Sequence, residues 1–390
     1  MVIKRQLESE LKSCAKQYPV VTITGPRQSG KTTLARRTFA HHRYVNLEEP
    51  DTRELAQADP RAFLATVEKG LILDEIQRAP ELLSYIQSMV DQKKKNGRFI
   101  LTGSRNFELM HSVTQSLAGR TAILNLLPLS IPELQKAKYN YSADEYLLNG
   151  FYPRVYAEKL EPYKAYRNYF QTYIERDLRS LINVKDLSTF QKFVKLCAGR
   201  VGQIFNASAL SSEVGVSVPT ITSWLSILQE SYIVFLLQPY FSNIKKSLVR
   251  SPKLYFYDVG LAAYLLGIEK LTQISRDPLR GSLFENMVVM DLVKYRYNRG
   301  LDHGLYFFRD DKQHEVDVIR VSATDLVAIE IKYSQTYHED FLNGLKYFRN
   351  VFPKKKISTA VVYTGQETLS GEEFSLINYQ NMTGIFEDKR

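Results

Sequence analysis

Residues 25–32 are Gly25-Pro26-Arg27-Gln28-Ser29-Gly30-Lys31-Thr32, and they match the phosphate-binding pattern G-x-x-x-x-G-K-S/T. The β-branched run at 20–24 predicts a buried strand before this loop, and residues 33–37 predict the first turns of a helix after it. In that context, successive backbone N–H groups and the helix N-terminus attract phosphate oxygens. The stretch therefore predicts a P-loop. The alternative is a glycine turn that carries an exposed lysine.

The P-loop pattern assigns separate tasks to several of its residues. Gly25 and Gly30 have no Cβ, so the backbone can approach phosphates closely. Lys31 would reach the β- and γ-phosphates of ATP, and the hydroxyl of Thr32 would ligate Mg²⁺. The pattern therefore predicts both ATP and Mg²⁺ as cofactors.

A second motif follows in the apolar run at 71–76. It predicts a buried strand that ends in Asp74 and Glu75, which is the Walker B pattern. Asp74 would hold Mg²⁺ through water, and Glu75 would polarise the attacking water as the catalytic base. The alternative is a strand that ends in solvated carboxylates. The candidate ATP-binding residues are Gly25, Pro26, Arg27, Gln28, Ser29, Gly30, Lys31, Thr32, Thr33 and Asp74, and Thr32 and Asp74 are the candidate Mg²⁺ ligands.

Two further stretches are candidates for the phosphate site. The strand predicted at 98–105 contains Thr102 and Ser104, which would be polar sensors of the γ-phosphate or simply part of a strand-terminal turn. Arg120 precedes a strand predicted at 121–126. It would be a catalytic residue, either as a phosphate-sensing arginine or as a finger acting on a neighbouring subunit of an oligomer. The alternative for Arg120 is a surface salt bridge.

Composition and charge limit the class of protein. The chain has 390 residues, 44% hydrophobic and 24% charged, which predicts a globular protein of two or three domains. The net charge of +10 favours an anionic partner such as nucleic acid; the alternative is that the excess Lys and Arg are simply solvated surface. Cys14 and Cys197 have no metal or redox spacing, which is consistent with a reducing cytoplasm. The N-terminus is not typical of a signal peptide, and the uncharged stretch 231–244 is too short to span a bilayer.

Several segments together resemble a known family. They are the P-loop, residues 46–50, the acids at 71–76, residues 117–120, 150–153, 173–177 and 281–286, and the C-terminal acids. The chain resembles a family of prokaryotic AAA-type ATPases that carry a C-terminal domain of unknown function with a nuclease-like fold. The resemblance implies an α/β architecture whose AAA-type P-loop core has the P-loop strand in a central position. A winged-helix middle domain and a C-terminal α/β PD-(D/E)xK nuclease-like domain would follow. We expect domain boundaries at 1–140 (ATPase), 141–188 (helical connector), 189–270 (winged helix) and 271–390 (nuclease-like).

The middle of the chain predicts a winged helix-turn-helix at 190–257. A long aromatic helix at 161–183 would connect it to the ATPase, with rings that pack rather than stack on bases. Helix 207–214, a turn at Gly215 and a second helix from Ser217 would precede wing strands at 234–238 and 254–257. No acid lies between 230 and 258, so we expect the cations there to contact DNA phosphates; they are Lys245, Lys246, Arg250 and Lys253. The second helix has no arginine, which weakens sequence-specific recognition. The alternative is a winged helix that only packs between domains.

The C-terminal segment has the residue layout of a PD-(D/E)xK nuclease. Asp317 lies on one predicted strand, and Glu330 and Lys332 lie on one face of the next. By resemblance, Asp317 and Glu330 would bind Mg²⁺, Glu330 and Lys332 would be catalytic, and Glu285 would be an auxiliary acid. Glu and Lys also flank one another on many exposed strands, and some proteins of this type keep the fold for binding only.

The sequence thus supports three hypotheses. The first is a Mg²⁺-dependent ATPase that acts on DNA and has a possible metal-dependent nuclease site. The second is a nucleotide-regulated switch that binds protein or DNA without cutting. The third is a transcriptional regulator that acts through the winged helix.

Overall fold

The computed structural model describes residues 2–65, 69–93, 95–104, 113, 115–173, 187–240, 249–322, 325–371 and 373–386. Its helices are α1 (Glu8–Gln17), α2 (Lys31–Thr38), α3 (Pro50–Ala58), α4 (Pro60–Ala65), α5 (Leu82–Gln92), α6 (Ile131–Lys136), α7 (Ala143–Asn149), α8 (Pro153–Ala157), α9 (Pro162–Tyr169), α10 (Leu187–Ala198), α11 (Ala207–Val214), α12 (Val218–Glu230), α13 (Val259–Leu265), α14 (Leu271–Ile274), α15 (Arg280–Tyr297) and α16 (Asn343–Val351). Its strands are β1 (Val20–Thr24), β2 (Arg43–Asn46), β3 (Leu71–Asp74), β4 (Phe99–Gly103), β5 (Thr121–Asn125), β6 (Val234–Leu237), β7 (Lys253–Phe256), β8 (Leu305–Arg309), β9 (Glu315–Val321), β10 (Asp325–Lys332), β11 (Lys356–Tyr363), β12 (Leu369–Ser370) and β13 (Ser375–Asn378). Residues 174–177 of the family resemblance and the predicted wing cations Lys245 and Lys246 lie outside the described residues.

The N-terminal sheet places the P-loop strand between two neighbours. Its order is β2-β3-β4-β1-β5, and all of its strand pairs are parallel. All five residues of β1 are buried, as expected for a parallel strand covered on both faces. Strand β4 separates the P-loop strand from the strand that carries Asp74. The predicted α/β class with a central P-loop strand is thereby confirmed for this part of the chain.

Local sequence explains where several elements differ from their predicted bounds. Residues 52–63 are typical of a single helix in sequence, but they belong to two, because Pro60 begins α4 and disfavours a helical conformation at the preceding Asp59. The amphipathic sequence at 3–16 is also typical of a single helix, but that helix begins only at Glu8. The preceding residues lie instead beside the P-loop, where Ile3 and Arg5 are buried.

The middle segment consists of helices followed by a hairpin. Helix α11 ends at Val214 and is followed by Gly215, whose φ of 85° suits glycine. The hydroxyl of Ser217 caps α12 by accepting from the N–H of Thr220 at 3.3 Å. Strands β6 and β7 pair in antiparallel fashion and bring Leu237 opposite Lys253. These elements lie where the sequence placed them. The assignment of a DNA-binding winged helix stays a prediction.

The C-terminal sheet is mixed and has the order β12-β13-β11-β10-β9-β8. Strand β10 pairs in parallel with β11 and in antiparallel fashion with β9. Its side chains alternate between two hydrophobic clusters: Val327 and Ile329 belong to one, and Ala328 to the other. Glu330 therefore lies on the same face of β10 as Ala328.

Helix α15 connects the C-terminal part of the chain to the segment that follows β5. Asp291 accepts from the N–H of Ile131 at 2.8 Å, and the ammonium of Lys294 donates to the carbonyl of Leu129 at 2.9 Å. Both charged side chains are buried, so the segment after β5 supplies polar partners that the helix needs. Among the described residues, no helix combines the length and the apolar run needed to cross a membrane. The domain boundaries at 140, 188 and 270 stay predictions.

We expect the buried Asp291 to make stability depend on pH. Burial raises its pKa from 3.8 to about 6; Lys294 and the Ile131 N–H oppose that rise, and Glu133 adds to it. An acid whose pKa is raised by folding costs stability above that pKa, and the cost disappears as pH falls below the unfolded value. Between pH 4 and 7.5, the free energy of unfolding should therefore fall more for the wild type than for Asp291→Asn, by up to about 3 kcal/mol. Urea titrations at both pH values measure this difference. The exposed Asp302→Asn is the control, and parallel pH profiles for wild type and Asp291→Asn would contradict the expectation.

Candidate functional site

The P-loop has a backbone shape that requires glycine at its first position. Gly25 has a φ of 147°, and a Cβ there would lie 2.1 Å from the carbonyl oxygen of Leu126. Any larger residue would therefore clash with the chain that leaves β5. Gln28 and Gly30 also have positive φ values, of 61° and 93°, as the loop turns into α2. The loop thus directs the N-terminus of α2 towards the space in front of the sheet.

Lys31 lies inside the loop that precedes it. Its ammonium donates to the carbonyl oxygens of Gly25 and Pro26 at 2.9 and 2.8 Å. Burial lowers the pKa of Lys31 to about 8, against the carboxylates of Glu75 and Asp74, which raise it. The two carbonyls hold the side chain in place with its charge enclosed by the loop.

Asp74 receives hydrogen bonds from three hydroxyl groups. The Thr32 hydroxyl lies 2.9 Å from Oδ2, the Tyr44 hydroxyl lies 2.8 Å from the same oxygen, and the Thr102 hydroxyl donates to Oδ1. Strand β3 supplies Asp74, whereas α2, β2 and β4 supply its partners. The predicted Mg²⁺ ligands Thr32 and Asp74 are therefore in direct contact. Their hydroxyl and carboxylate oxygens are the hard donors that Mg²⁺ prefers, so these residues fit that ion.

Glu75 follows Asp74 in a left-handed conformation, with a φ of 56°. This conformation is uncommon for a residue with a Cβ, and it directs the side chain away from the line of the strand. The Ser104 hydroxyl donates to Glu75 Oε2 at 3.0 Å, and the Gln77 amide donates to the same oxygen. The two expected sensors, Thr102 and Ser104, thus contact the acids Asp74 and Glu75 respectively.

A cavity of about 480 Å³ opens in front of the P-loop. The P-loop from Arg27 to Thr32 lines it, together with Thr33 and Glu75. Its cationic lining residues are Lys4, Arg5, Arg27, Lys31, Arg37 and Arg154, and its acidic ones are Glu8, Glu48, Glu75 and Glu158. The size is within the usual range for a small-molecule site, and the excess of cations suits a polyphosphate.

Arg5 supports the P-loop, and no sequence pattern predicted that role. It is 7% exposed, and its guanidinium donates to the carbonyls of Ser29 and Leu127 at 2.6 Å each and to Glu133 at 3.1 Å. One side chain therefore joins the loop to the segment after β5 and to α6. An arginine that lies 24 residues before its partner Ser29 has no local pattern that would identify it.

The structure contradicts one proposed role of Arg120. This residue precedes Thr121, which is paired with Val20 at the amino end of β1, whereas the P-loop leaves the carboxyl end. Val20 and Thr24 are four positions apart, and strand residues advance by about 3.3 Å each, so roughly 13 Å separates the two ends. Arg120 pairs with Asp91 at 2.6 Å. It therefore cannot sense phosphate in its own chain, and a role in a neighbouring subunit stays a prediction.

The C-terminal candidates Asp317, Glu330 and Lys332 lie close together. The Lys332 ammonium is 2.6 Å from Glu330 Oε1, and the backbone N–H of Ile331 donates to Asp317 Oδ2 at 2.8 Å. Glu330 Oε2 is buried without a hydrogen-bond partner. Burial raises the pKa of Glu330 to about 8; Asp317 adds to the rise, and Lys332 opposes it. Glu285 points into the same cluster from α15.

The structure also contradicts the expected role of Lys253 as a wing lysine on DNA phosphates. Lys253 is 1% exposed, and its ammonium contacts Glu285 and Glu315 at 2.9 and 2.5 Å. The absence of acids near it in sequence suggested a basic surface, but its acidic partners come from segments that follow later in the chain. Arg250 is exposed, as that prediction requires.

Comparisons with known proteins place the chain in a family. Residues 17–135 match the model of an AAA domain, 140–272 match a domain of unknown function (DUF8612), and 280–382 match another domain of unknown function (DUF4143). An uncharacterized protein of Mycobacterium tuberculosis is 31% identical over 341 residues, which cover 86% of this chain and 75% of that protein. An uncharacterized protein of Haemophilus influenzae is 23% identical over 386 residues, which cover 91% and 92% of the two chains.

Solved structures with a similar arrangement share little sequence. A Walker-type ATPase of Pyrococcus abyssi has a TM-score of 0.42 and 12% identity, and the match covers 68% of this chain and 96% of that one. RuvB of Thermotoga maritima has a TM-score of 0.31 and 20% identity, with 60% and 88% of the chains covered. The matches to family models and to the mycobacterial relative confirm the predicted AAA-type family with a C-terminal domain of unknown function. The chain therefore belongs to an AAA-type ATPase family that it shares with the mycobacterial protein, and in this chain the AAA domain is followed by two domains of unknown function.

Proposed function

We propose that this chain binds Mg-ATP at the P-loop cavity and hydrolyses it. The observation that carries the proposal is the contact at 2.9 Å between the Thr32 hydroxyl and Asp74, beside Lys31 in the loop and directly before Glu75. When bound, Mg²⁺ would be held by Thr32 and Asp74 and would neutralise charge on the phosphates. Phosphate oxygens would replace the carbonyls of Gly25 and Pro26 as acceptors for the ammonium of Lys31.

The adenine ring and the transferred phosphate would lie at different ends of the cavity. Ile3, Leu34 and Leu129 give the lining an apolar portion that suits an adenine ring. Glu75 would orient the attacking water, and Ser104 would keep its carboxylate in place. Arg154 lines the cavity in its own chain and is therefore a better candidate than Arg120 for an arginine that contacts phosphate.

A second candidate function is a nucleotide-regulated switch without nuclease activity. Two observations favour it. The hydroxyl of Tyr232, just before β6, lies 3.2 Å from the hydroxyl of Thr24, the residue that precedes the P-loop. Strand β7 of the same hairpin places Lys253 among the C-terminal carboxylates. The hairpin would thus transmit a change at the P-loop to the C-terminal acids. The nuclease role of Asp317, Glu330 and Lys332 stays a prediction.

DNA is the partner that the charge of the chain supports. The net charge is +10, and the residues at the start of α12, Ser217, Val218 and Pro219, are exposed. One assay tests both parts of this proposal. We expect phosphate release from ATP that requires Mg²⁺, and we expect duplex DNA at low salt to increase it. Release that is absent with and without DNA would contradict the ATPase proposal. Release that DNA leaves unchanged, with no DNA binding at low salt, would contradict the DNA part alone.

A further inference from the structure

A buried lysine from the hairpin lies among three carboxylates of the C-terminal part. The ammonium of Lys253 is 2.9 Å from Glu285 Oε1, 2.5 Å from Glu315 Oε1 and 3.6 Å from Asp317 Oδ1. Helix α15 supplies Glu285, and β9 supplies the other two acids. We call these four side chains the Lys253 cluster. Its members come from three elements that are distant in sequence, so it forms only in the folded chain.

The backbone holds Lys253 in this position. The chain that leaves β6 continues along the edge of the C-terminal sheet, where the N–H of Tyr240 donates to the carbonyl of Phe307 at 2.7 Å. The N–H of Phe307 donates in turn to the carbonyl of Gln238 at 3.1 Å. Because β7 pairs with β6, these bonds fix β7 beside β8 and β9. Lys253 therefore enters the cluster from a strand that is attached to the same sheet.

Further donors surround the carboxylates of the Lys253 cluster. The Tyr255 hydroxyl donates to Glu285 Oε1 at 2.6 Å, and an Arg309 nitrogen lies 3.0 Å from Glu315 Oε2. A buried ion pair persists only when its geometry and its additional hydrogen bonds offset the loss of hydration. The cluster meets that condition with protein groups alone.

This arrangement does not fit the divalent ion that a nuclease-like site would need. Asp317 and Glu330 were the expected ligands, but each already has a lysine ammonium near one of its oxygens. Across the residues that the structure describes, no group of three or more His, Cys, Asp or Glu side chains is arranged to hold a metal ion. Neighbouring carboxylates repel one another, and a bound metal ion would offset that repulsion. An ammonium that contacts several of them offsets it already, so the acids gain less from binding a metal ion.

We propose that the Lys253 ammonium is the resident cation of this cluster and that it excludes a divalent ion from the acids it contacts. The acids thereby serve to hold the hairpin against the C-terminal sheet. Removal of the ammonium leaves three neighbouring carboxylates with reduced compensation, of which Asp317 is buried and Glu285 and Glu315 are partly buried. These acids then take a divalent cation. Lys253→Met removes the charge while keeping most of the side-chain volume.

Titration of the full chain with Mn²⁺, followed by electron paramagnetic resonance, tests the proposal. Any binding at the P-loop is common to all variants, so Asp317→Asn identifies binding at the cluster. In the wild-type background, Asp317→Asn should not change Mn²⁺ binding at Mn²⁺ concentrations up to about 1 mM. Weak oxygen-ligand sites have dissociation constants of about that size. Lys253→Met should gain one site per chain, and Lys253→Met/Asp317→Asn should lose it. Lys253→Arg keeps the charge and is the matched control without a gained site.

Two results would overturn the proposal. One is wild-type Mn²⁺ binding that Asp317→Asn abolishes, because the lysine would then not exclude the ion. The other is a folded Lys253→Met chain that gains no site. If Lys253→Met does not fold, the double variant Lys253→Met/Glu315→Gln removes one carboxylate together with the ammonium and is titrated in the same way. In Lys253→Met, or in Lys253→Met/Glu315→Gln if that variant is used, Mn²⁺ bound at the cluster should raise the melting temperature. In the wild type, Mn²⁺ should raise it only by the amount that binding at the P-loop contributes.

Discussion

Glu75→Gln should slow ATP hydrolysis by about 10²–10⁴-fold, the usual contribution of a positioned general base. Glutamine keeps the size of the side chain and can still accept from the Ser104 hydroxyl that now lies 3.0 Å from Oε2. It cannot take a proton from water. The affinity for Mg-ATP should therefore stay close to the wild-type value, because Glu75 supplies none of the proposed phosphate or Mg²⁺ contacts.

Steady-state phosphate release gives the rate, and calorimetry in Mg²⁺ gives the affinity. The matched control is Glu81→Gln, an exposed glutamate beyond the same turn whose carboxylate accepts from Gln57. It should hydrolyse ATP like the wild type. Hydrolysis by Glu75→Gln at the wild-type rate would show that another group activates the water and that the Walker B assignment is wrong.

Lys31→Ala should weaken ATP binding by about 10²-fold or more. Loss of one member of a buried charge contact costs roughly 2–5 kcal/mol, and about 3 kcal/mol corresponds to a hundredfold change in Kd. The side chain is buried in the loop and has no neighbouring lysine at 29–33 to replace it. Titration with a fluorescent ATP analogue measures the loss.

Folding of this variant needs a separate check, because the Lys31 ammonium also donates to the carbonyls of Gly25 and Pro26. A melting curve without nucleotide separates a loss of binding from a loss of fold. Lys16→Ala is the control, since Lys16 is exposed in the last turn of α1 and does not line the cavity. Wild-type ATP affinity in a folded Lys31→Ala chain would remove Lys31 from the proposed phosphate contacts.

Local patterns predicted the P-loop region well because its chemistry is continuous in sequence. The strand at 20–24 has the predicted bounds, and Asp74 ends a buried strand as expected. Parallel pairing then brings the carboxyl ends of β1, β3 and β4 to one edge of the sheet, where Thr32, Asp74 and Thr102 meet. A pattern of apolar residues and glycines carries that information.

Contacts between distant segments could not be predicted in the same way. The partners of Arg5 lie 24 to 128 residues further along the chain, and a charged side chain gives no sign of which buried acceptor it will meet. Lys253 was assigned to a surface because its own neighbourhood lacks acids, although Glu285 and Glu315 approach it in the fold. Arg120 was placed near phosphate from its position before a strand. The direction of that strand puts it at the other edge of the sheet.

The Lys253 cluster has a consequence for work on fragments of this protein. A C-terminal piece that begins at the predicted boundary, residue 271, would contain Glu285, Glu315 and Asp317 but not Lys253. Such a piece would carry a newly uncovered acidic pocket, and any metal that it bound would reflect the cut rather than the intact chain. A dissection that starts before β6 would keep the acids and their lysine on the same polypeptide.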